Sequence, residues 1–163
     1  MGNLATKTDG TLWAWGSPNA GQLGLNQGGA LGISSPTQIP GTTWSTVSAG
    51  ERNMAAIKTD GTLWCWGQNL AGELGVNDRT NRSSPVQVPG TTWSTISEGG
   101  GIILAKKSDS TLWTWGPNSH GSLGQNQSYP VLIGTSSPVQ IPGIWGEVGV
   151  ISAAYNNIGW KYG

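Results

Sequence analysis

Apolar positions occur in short runs punctuated by Gly, Pro, Asp, Asn and Ser, and the runs are of two kinds. WSTVSAG (44–50) alternates apolar with small polar residues, whereas TLWCWG (62–67) is apolar on both sides. Alternation marks a strand with one wet face, and apolarity on both sides marks a strand whose sheet is covered twice. In order, WSTVSAG, NMAAIKT (53–59), TLWCWG and PVQVP (85–89) predict four antiparallel strands. Asp60-Gly61 predicts a two-residue turn with positive φ between the second and third, and Asp9-Gly10 repeats it. Asp109-Ser110 lacks the glycine, so strain or a different turn is expected there. The Gly-x-Leu-Gly segments that follow place Leu23, Leu74 and Leu123 as inward plugs within tight edge turns.

The hairpin is written three times: TDGTLWAWG (8–16), TDGTLWCWG (59–67) and SDSTLWTWG (108–116). Trp13, Trp64 and Trp113 are spaced by 51 and 49 residues, and Trp44, Trp93 and Trp145 by 49 and 52. Such periods suit a propeller blade, which cannot bury its two faces without neighbours. The expected fold is therefore all-β: β-propeller blades of four antiparallel strands, about three of them, forming a partial propeller or one part of an oligomeric ring. Residues 1–163 read as a single repeat domain, with repeats near 2–52, 53–101 and 102–152 and an extra strand over 153–163. The first period opens on a second strand, and residues 145–163 supply a first strand and then another second strand at the other end. Three blades cannot close a ring, so the open ends are expected to pair with another copy or a different subunit.

Apart from PGIW (142–145), one residue shorter than PGTTW, length varies at one place per period, between the Asn of LGLN, LGVN or LGQN and the next SSP: residues 27–33, 78–82 and 127–135. Variable loops on a constant scaffold are where binding is usually found. The longest carries an apolar run, and Tyr129, Pro130, Val131, Leu132 and Ile133 are the expected partner-binding residues.

DGTLWAWGSPNAGQLGLN (9–26) beside DGTLWCWGQNLAGELGVN (60–77) resembles the regulator of chromosome condensation repeat family, whose members usually form seven-bladed β-propellers. Members of that family serve as a nucleotide exchange factor docking on chromatin, as light sensors, as ubiquitin-ligase modules and as enzyme inhibitors. The chain departs from the family at Asn53-Met54 and Ile102-Ile103, where a His-Thr pair is usual, and at Pro18, where the other repeats have Asn69 and Asn118. Both departures are expected to be packing variations. The light sensors use Trp interleaved with many Arg; here Arg52, Arg79 and Arg82 are the only arginines, and the paired tryptophans are expected in the core.

Composition narrows the function by exclusion. Eight basic residues balance eight acidic ones, which removes the charge footprint for nucleic acid or anionic lipid. No run of apolar residues is long enough for membrane insertion, and MGNLATKTDG lacks the features of a signal peptide. One histidine, His120, and one cysteine, Cys65, offer neither a metal cluster nor a nucleophile with its base; Cys65 is expected to pack as a small apolar residue. No enzymatic activity, metal or cofactor is expected. The reading is a structural or interaction module presenting variable loops to protein or glycan, its partner another copy or another structural subunit. Its simple repeats, low charge and Gly, Ser, Thr, Asn and Gln richness resemble family members of marine bacteria and their phages, which implies a virion or cell-surface component. Alternatives are a soluble regulatory protein-binding propeller and a carbohydrate-binding propeller; the latter would repeat an exposed aromatic beside Asn in every loop.

Overall fold

The computed structural model describes residues 2–26, 31–119, 121–126 and 134–146. Among them are eleven strands and no helix. β1 (Gly2–Thr6), β2 (Leu12–Gly16) and β3 (Ile33–Ile39) form one sheet. β4 (Trp44–Ala49), β5 (Asn53–Lys58), β6 (Leu63–Gly67) and β7 (Arg82–Gln87) form the second, in chain order. β8 (Trp93–Gly99), β9 (Ile102–Lys107), β10 (Leu112–Gly116) and β11 (Thr135–Ile141) form the third. All neighbours are antiparallel. β1–β3 correspond to β5–β7 in register, and that sheet has no counterpart of β4 or β8 among the described residues. The first strands β4 and β8 touch each other, and each also packs on the second strand of the preceding sheet. The three sheets are blades of a partial propeller.

The repeated hairpin owes its sequence to a relay of four side chains. The Thr11 amide and hydroxyl both donate to Asp9 Oδ1, at 3.0 and 2.6 Å, and Trp13 Nε1 donates to Thr11 Oγ1 at 2.9 Å. Lys7 Nζ then lies 3.8 Å from the Trp13 ring centroid. Asp60, Thr62, Trp64 and Lys58 repeat this arrangement, as do Asp109, Thr111, Trp113 and Lys107. The threonine hydroxyls, seconded by the amides, hold all three aspartates below the usual carboxylate range.

The turn itself differs from expectation. The Gly10 amide donates to the Lys7 carbonyl and the Lys7 amide to the Thr11 carbonyl, giving a three-residue loop with only Gly10 left-handed (φ +77°). Asp9 is freed to cap Thr11 with its side chain, which a two-residue turn with both residues left-handed would prevent. Ser110 adopts the same turn at φ +67°, so the third hairpin is strained rather than rebuilt. Ser110→Gly should raise stability by about 0.5–1 kcal/mol, read as a higher melting temperature.

The fourth strands begin earlier than PVQVP suggests. Cys65 pairs with Val86 and Gly67 with Arg82, so β7 carries extra residues opposite Trp66. Pro85 sits in this bulge on an outer strand, where its missing N–H is harmless.

The core lies between sheets. Met54, Ala56 and Trp66 of β5 and β6 meet Leu12, Ala14 and Leu23 across the first junction. Ala55, Ile57, Leu63 and Cys65 meet Ile96, Ile103 and Trp115 across the second. This is why β6 is apolar on both faces. Burial pushes the Cys65 thiol well up, which leaves it a packing residue.

Candidate interaction surfaces

Antiparallel order sends the hairpin turns and the blade-to-blade connections to one end, and the loops after β2, β6 and β10 to the other, beside the β4–β5 and β8–β9 turns. Nearly all variation in loop length therefore falls on one rim; the exception is PGIW (142–145), one residue shorter than PGTTW, at the other end. Of the three loops the second is fully described, and Asn69 organises it. The Asn69 side-chain amide donates to the Asp78 and Thr80 carbonyls and to Asp78 Oδ1, its backbone N–H donates to Asn81 Oδ1, and its Oδ1 accepts the Leu74 amide at 2.9 Å. Asp78 also pairs with Arg82, and its carboxyl is held low chiefly by the Thr80 amide. Asn118 Oδ1 likewise accepts the Leu123 amide at 3.1 Å. Pro18 at the equivalent position of the first repeat has no side-chain amide to make such bonds. Tyr129, Pro130, Val131, Leu132 and Ile133, with His120, lie outside the described residues.

On the same rim, a cleft of about 290 Å³ opens between the second and third blades, lined by Glu51, Arg52, Asn53, Gln68, Glu73 and Pro117 among others. Beneath it Glu98 of β8 is 8% exposed. Its Oε1 accepts the Gly101 amide at 3.0 Å, its backbone N–H donates to Ser48 Oγ at 2.8 Å, and Oε2 has no partner. Burial first, then the charges of Glu51 and Glu73, push Glu98 up to about 7, against the pull of the Gly101 amide. The folded chain thus holds this proton more tightly than the unfolded chain, whose ordinary value is 4.5. The stabilisation is complete below about pH 4.5 and is lost as pH rises through about 7. Thermal melts from pH 5 to 8 should show falling stability, and Glu98→Gln should flatten that slope. WSTISEG carried no signal of this, because Ala49 occupies the matching position one blade earlier.

The blade junctions are built alike. Trp66, fully buried, lies against Gly24 of the preceding blade, where an added Cβ would come 2.7 Å from its Nε1; Trp115 lies against Gly75, with the corresponding distance 2.6 Å. Each junction also has a backbone bond, from the Asn26 amide to the Ser83 carbonyl (2.7 Å) and from the Asn77 amide to the Ser136 carbonyl (2.6 Å). Trp44 then stacks edge-on against Trp64 and Trp66, and Trp93 against Trp113 and Trp115, at centroid distances of 5.9–6.3 Å. These asparagines are left-handed residues that join blades.

Among the described residues no group of three or more His, Cys, Asp or Glu is placed to hold a metal. Stacked blades of three or four described strands, tryptophan knobs set against glycines, and one variable rim define a segment of a β-propeller. The chain belongs to the regulator of chromosome condensation (RCC1) repeat family, matched over residues 9–57 and 60–105, with a second description of the same repeat matched over 44–73. It is 36% identical over 80 residues to the Ultraviolet-B receptor UVR8 of Arabidopsis thaliana, which covers 48% of this chain and 18% of the relative. It is 34% identical over 84 residues to the probable E3 ubiquitin-protein ligase HERC3 of Homo sapiens, covering 48% of this chain and 8% of the relative. Among solved structures it is similar in fold to Prp20p of Saccharomyces cerevisiae, with a TM-score of 0.75 and 18% identity over 87% of this chain and 36% of that one. The chain spans less than a fifth of these two curated relatives and about a third of the yeast structure.

Proposed function

We propose that this chain is a non-enzymatic, protein-binding segment of a propeller, acting through the rim that carries its variable loops. The observation that carries this reading is the concentration of length variation at the end where the cleft between the second and third blades also opens. A scaffold held by repeated Trp–Gly junctions gives such loops fixed positions. The yeast structure is described with the binding of Prp20p to Gsp1p and histones, which supports a protein as the class of partner. Relatives named as a receptor and a ligase favour the regulatory alternative over a virion or cell-surface component. A glycan is the weaker choice, because the fully described rim loop, 78–82, presents no aromatic residue.

The test places a photo-crosslinking residue at Tyr129 and, as a control, at Asp109 on the opposite end. A protein captured from 129 but not from 109 should then lose affinity for a chain whose 127–135 segment is shortened to the length of 78–82. Equal capture at both positions, or unchanged affinity of the shortened chain, rejects the rim.

A further inference from the structure

The internal repeat is broken at several positions that meet around one hollow. Laid over WSTVSAGERNMAA (44–56), WSTISEGGGIILA (93–105) puts Glu98 where Ala49 stands, and Gly100-Gly101 where Glu51-Arg52 stand. Glu73 likewise stands where the other repeats have Gln22 and Ser122. All of these residues but Ala49, Gln22 and Ser122 line or underlie the cleft between the second and third blades. The paired glycines, both left-handed at φ +62° and +83°, leave it open; a Cβ on Gly101 would stand 3.2 Å from Glu73 Cγ.

Glutamate is rare here, with four in 163 residues, and the three described ones all stand in or beneath this hollow. Glu51 comes from the β4–β5 turn, Glu73 from the turn after β6, and Glu98 from β8. Glu73 is 5% exposed; its Oε2 accepts the Ala71 amide at 2.7 Å and its Oε1 the Gln68 side-chain amide at 3.4 Å. Arg52 is the one cation lining the cleft among the described residues. Its side chain is 63% exposed, donates to Gln68 Oε1 at 3.2 Å, and lies 3.8 Å from Glu51, a wet ion pair that holds it weakly.

Two buried polar atoms of this site lack partners among the described residues, and they are of opposite kind. Glu98 Oε2, in the space a Cβ on Gly50 would take, lacks a donor. Asn53 Nδ2, on a cleft-lining residue only 2% exposed, lacks an acceptor. Leaving such groups unmet is costly, so a ligand that brings a charged donor with a carbonyl beside it is favoured. A basic residue in a polypeptide does both: its side chain carries only N–H donors, and its peptide group supplies the carbonyl. The volume of about 290 Å³ falls at the bottom of the range for small-molecule pockets and suits one side chain.

We infer that this cleft receives the guanidinium or ammonium side chain of a basic residue on a partner protein, with Glu73 and Glu98 as its anionic walls and Asn53 donating to the partner's backbone carbonyl. The inference rests on the proposed protein-binding rim and names the chemistry of its partner. The ionised form of Glu98 is the one that holds a cation, and its empty-site value of about 7 leaves it partly protonated near neutrality. Glu51 and Glu73, which help to raise that value, are charges the incoming cation offsets; Arg52 opposes the cation from the mouth. Cys65, buried within reach of the Glu98 charge, stays a neutral thiol. Binding should therefore strengthen as pH rises through about 7.

Amide NMR on the isotope-labelled full chain tests this, with N-acetyl-arginine methylamide as the probe and its citrulline counterpart as an uncharged control of the same shape. The reporters are the Gly101 amide, which donates to Glu98 Oε1, and the Asn53 side-chain amide. The arginine probe, taken to about 20 mM because one residue makes few contacts, should shift both saturably, and the citrulline probe neither. Affinity at pH 8 should exceed that at pH 5.5 by at least about tenfold, as expected when only the ionised carboxyl is competent. Glu98→Gln should lose most of the binding and all of that pH dependence, and Glu51→Gln, at an exposed side chain, should weaken binding a few-fold. Equal shifts from the two probes, no saturable shift, or a Glu98→Gln chain that binds like wild type overturns the inference. If Glu98→Gln fails to fold, the wild-type pH dependence and Glu51→Gln decide. A probe that fails while shortening 127–135 still costs affinity for the captured protein overturns the cleft and leaves the rim standing.

Discussion

Trp66→Ala will lower the unfolding free energy by about 3–5 kcal/mol, the usual range for truncating a fully buried tryptophan. Three observations set this expectation at the upper part of that range. Its ring is entirely buried, stacks on Trp44 with centroids 6.3 Å apart, and donates Nε1–H to the Gln22 carbonyl at 2.9 Å. The substitution thus opens a cavity between two blades and leaves a buried carbonyl without its donor. Trp15→Ala, at a half-buried ring with no such bond, should cost clearly less in the same chemical-denaturation experiment. Equal losses would show that burial at the junction is not what distinguishes the two.

Gly75→Asn should destabilise the chain by about 1–3 kcal/mol, the typical range for overpacking a tight core. Asn accepts the φ of +69° better than most residues, so backbone strain is the smaller part. The larger part is steric. The new Cβ would stand 2.6 Å from Trp115 Nε1 and 2.8 Å from Cε2, forcing the indole out of a junction it fills completely. Gly124→Asn, chemically identical and on the same kind of turn (φ +62°), is at an exposed glycine whose added Cβ would meet nothing nearer than Ile141 at 3.5 Å, and should leave the melting temperature nearly unchanged. The contrast separates what glycine does for the backbone from what it does for the neighbouring blade.

The fold was legible because its signals are local or periodic. Trp-x-Trp on a strand apolar on both faces predicted sheets covered on two sides, and Trp66, Trp115 and Cys65 are indeed fully buried. Trp15 departs from that expectation only because its side of the first blade meets no other blade among the described residues. Asp-Gly announced the hairpins but concealed the loop length, since Gly10 and Gly61 take positive φ in either turn. The role of Asn69 was not legible because its bonds run to a loop of variable length. Glu98 was invisible for another reason: its burial depends on Ser48 and Gly50 of the neighbouring blade, about 50 residues away. The variable rim was found by length arithmetic, but its favoured segment, Tyr129 to Ile133, lies outside the described residues.

The Asp–Thr–Trp–Lys relay spans only seven residues, from Lys7 to Trp13, with every contact between near neighbours in the chain. Contacts this local need little loop closure, so each hairpin can form early in refolding, on the microsecond scale typical of hairpins. The Trp66–Gly24 contact, by contrast, joins segments 42 positions apart and must wait for two blades to meet. Kinetic effects should divide accordingly: Asp60→Ala will chiefly slow refolding, while Trp66→Ala will chiefly accelerate unfolding. The recurring nine-residue phrase is in this sense a nucleation signal, issued once per blade, and the glycine at the next turn governs how long the assembled array persists.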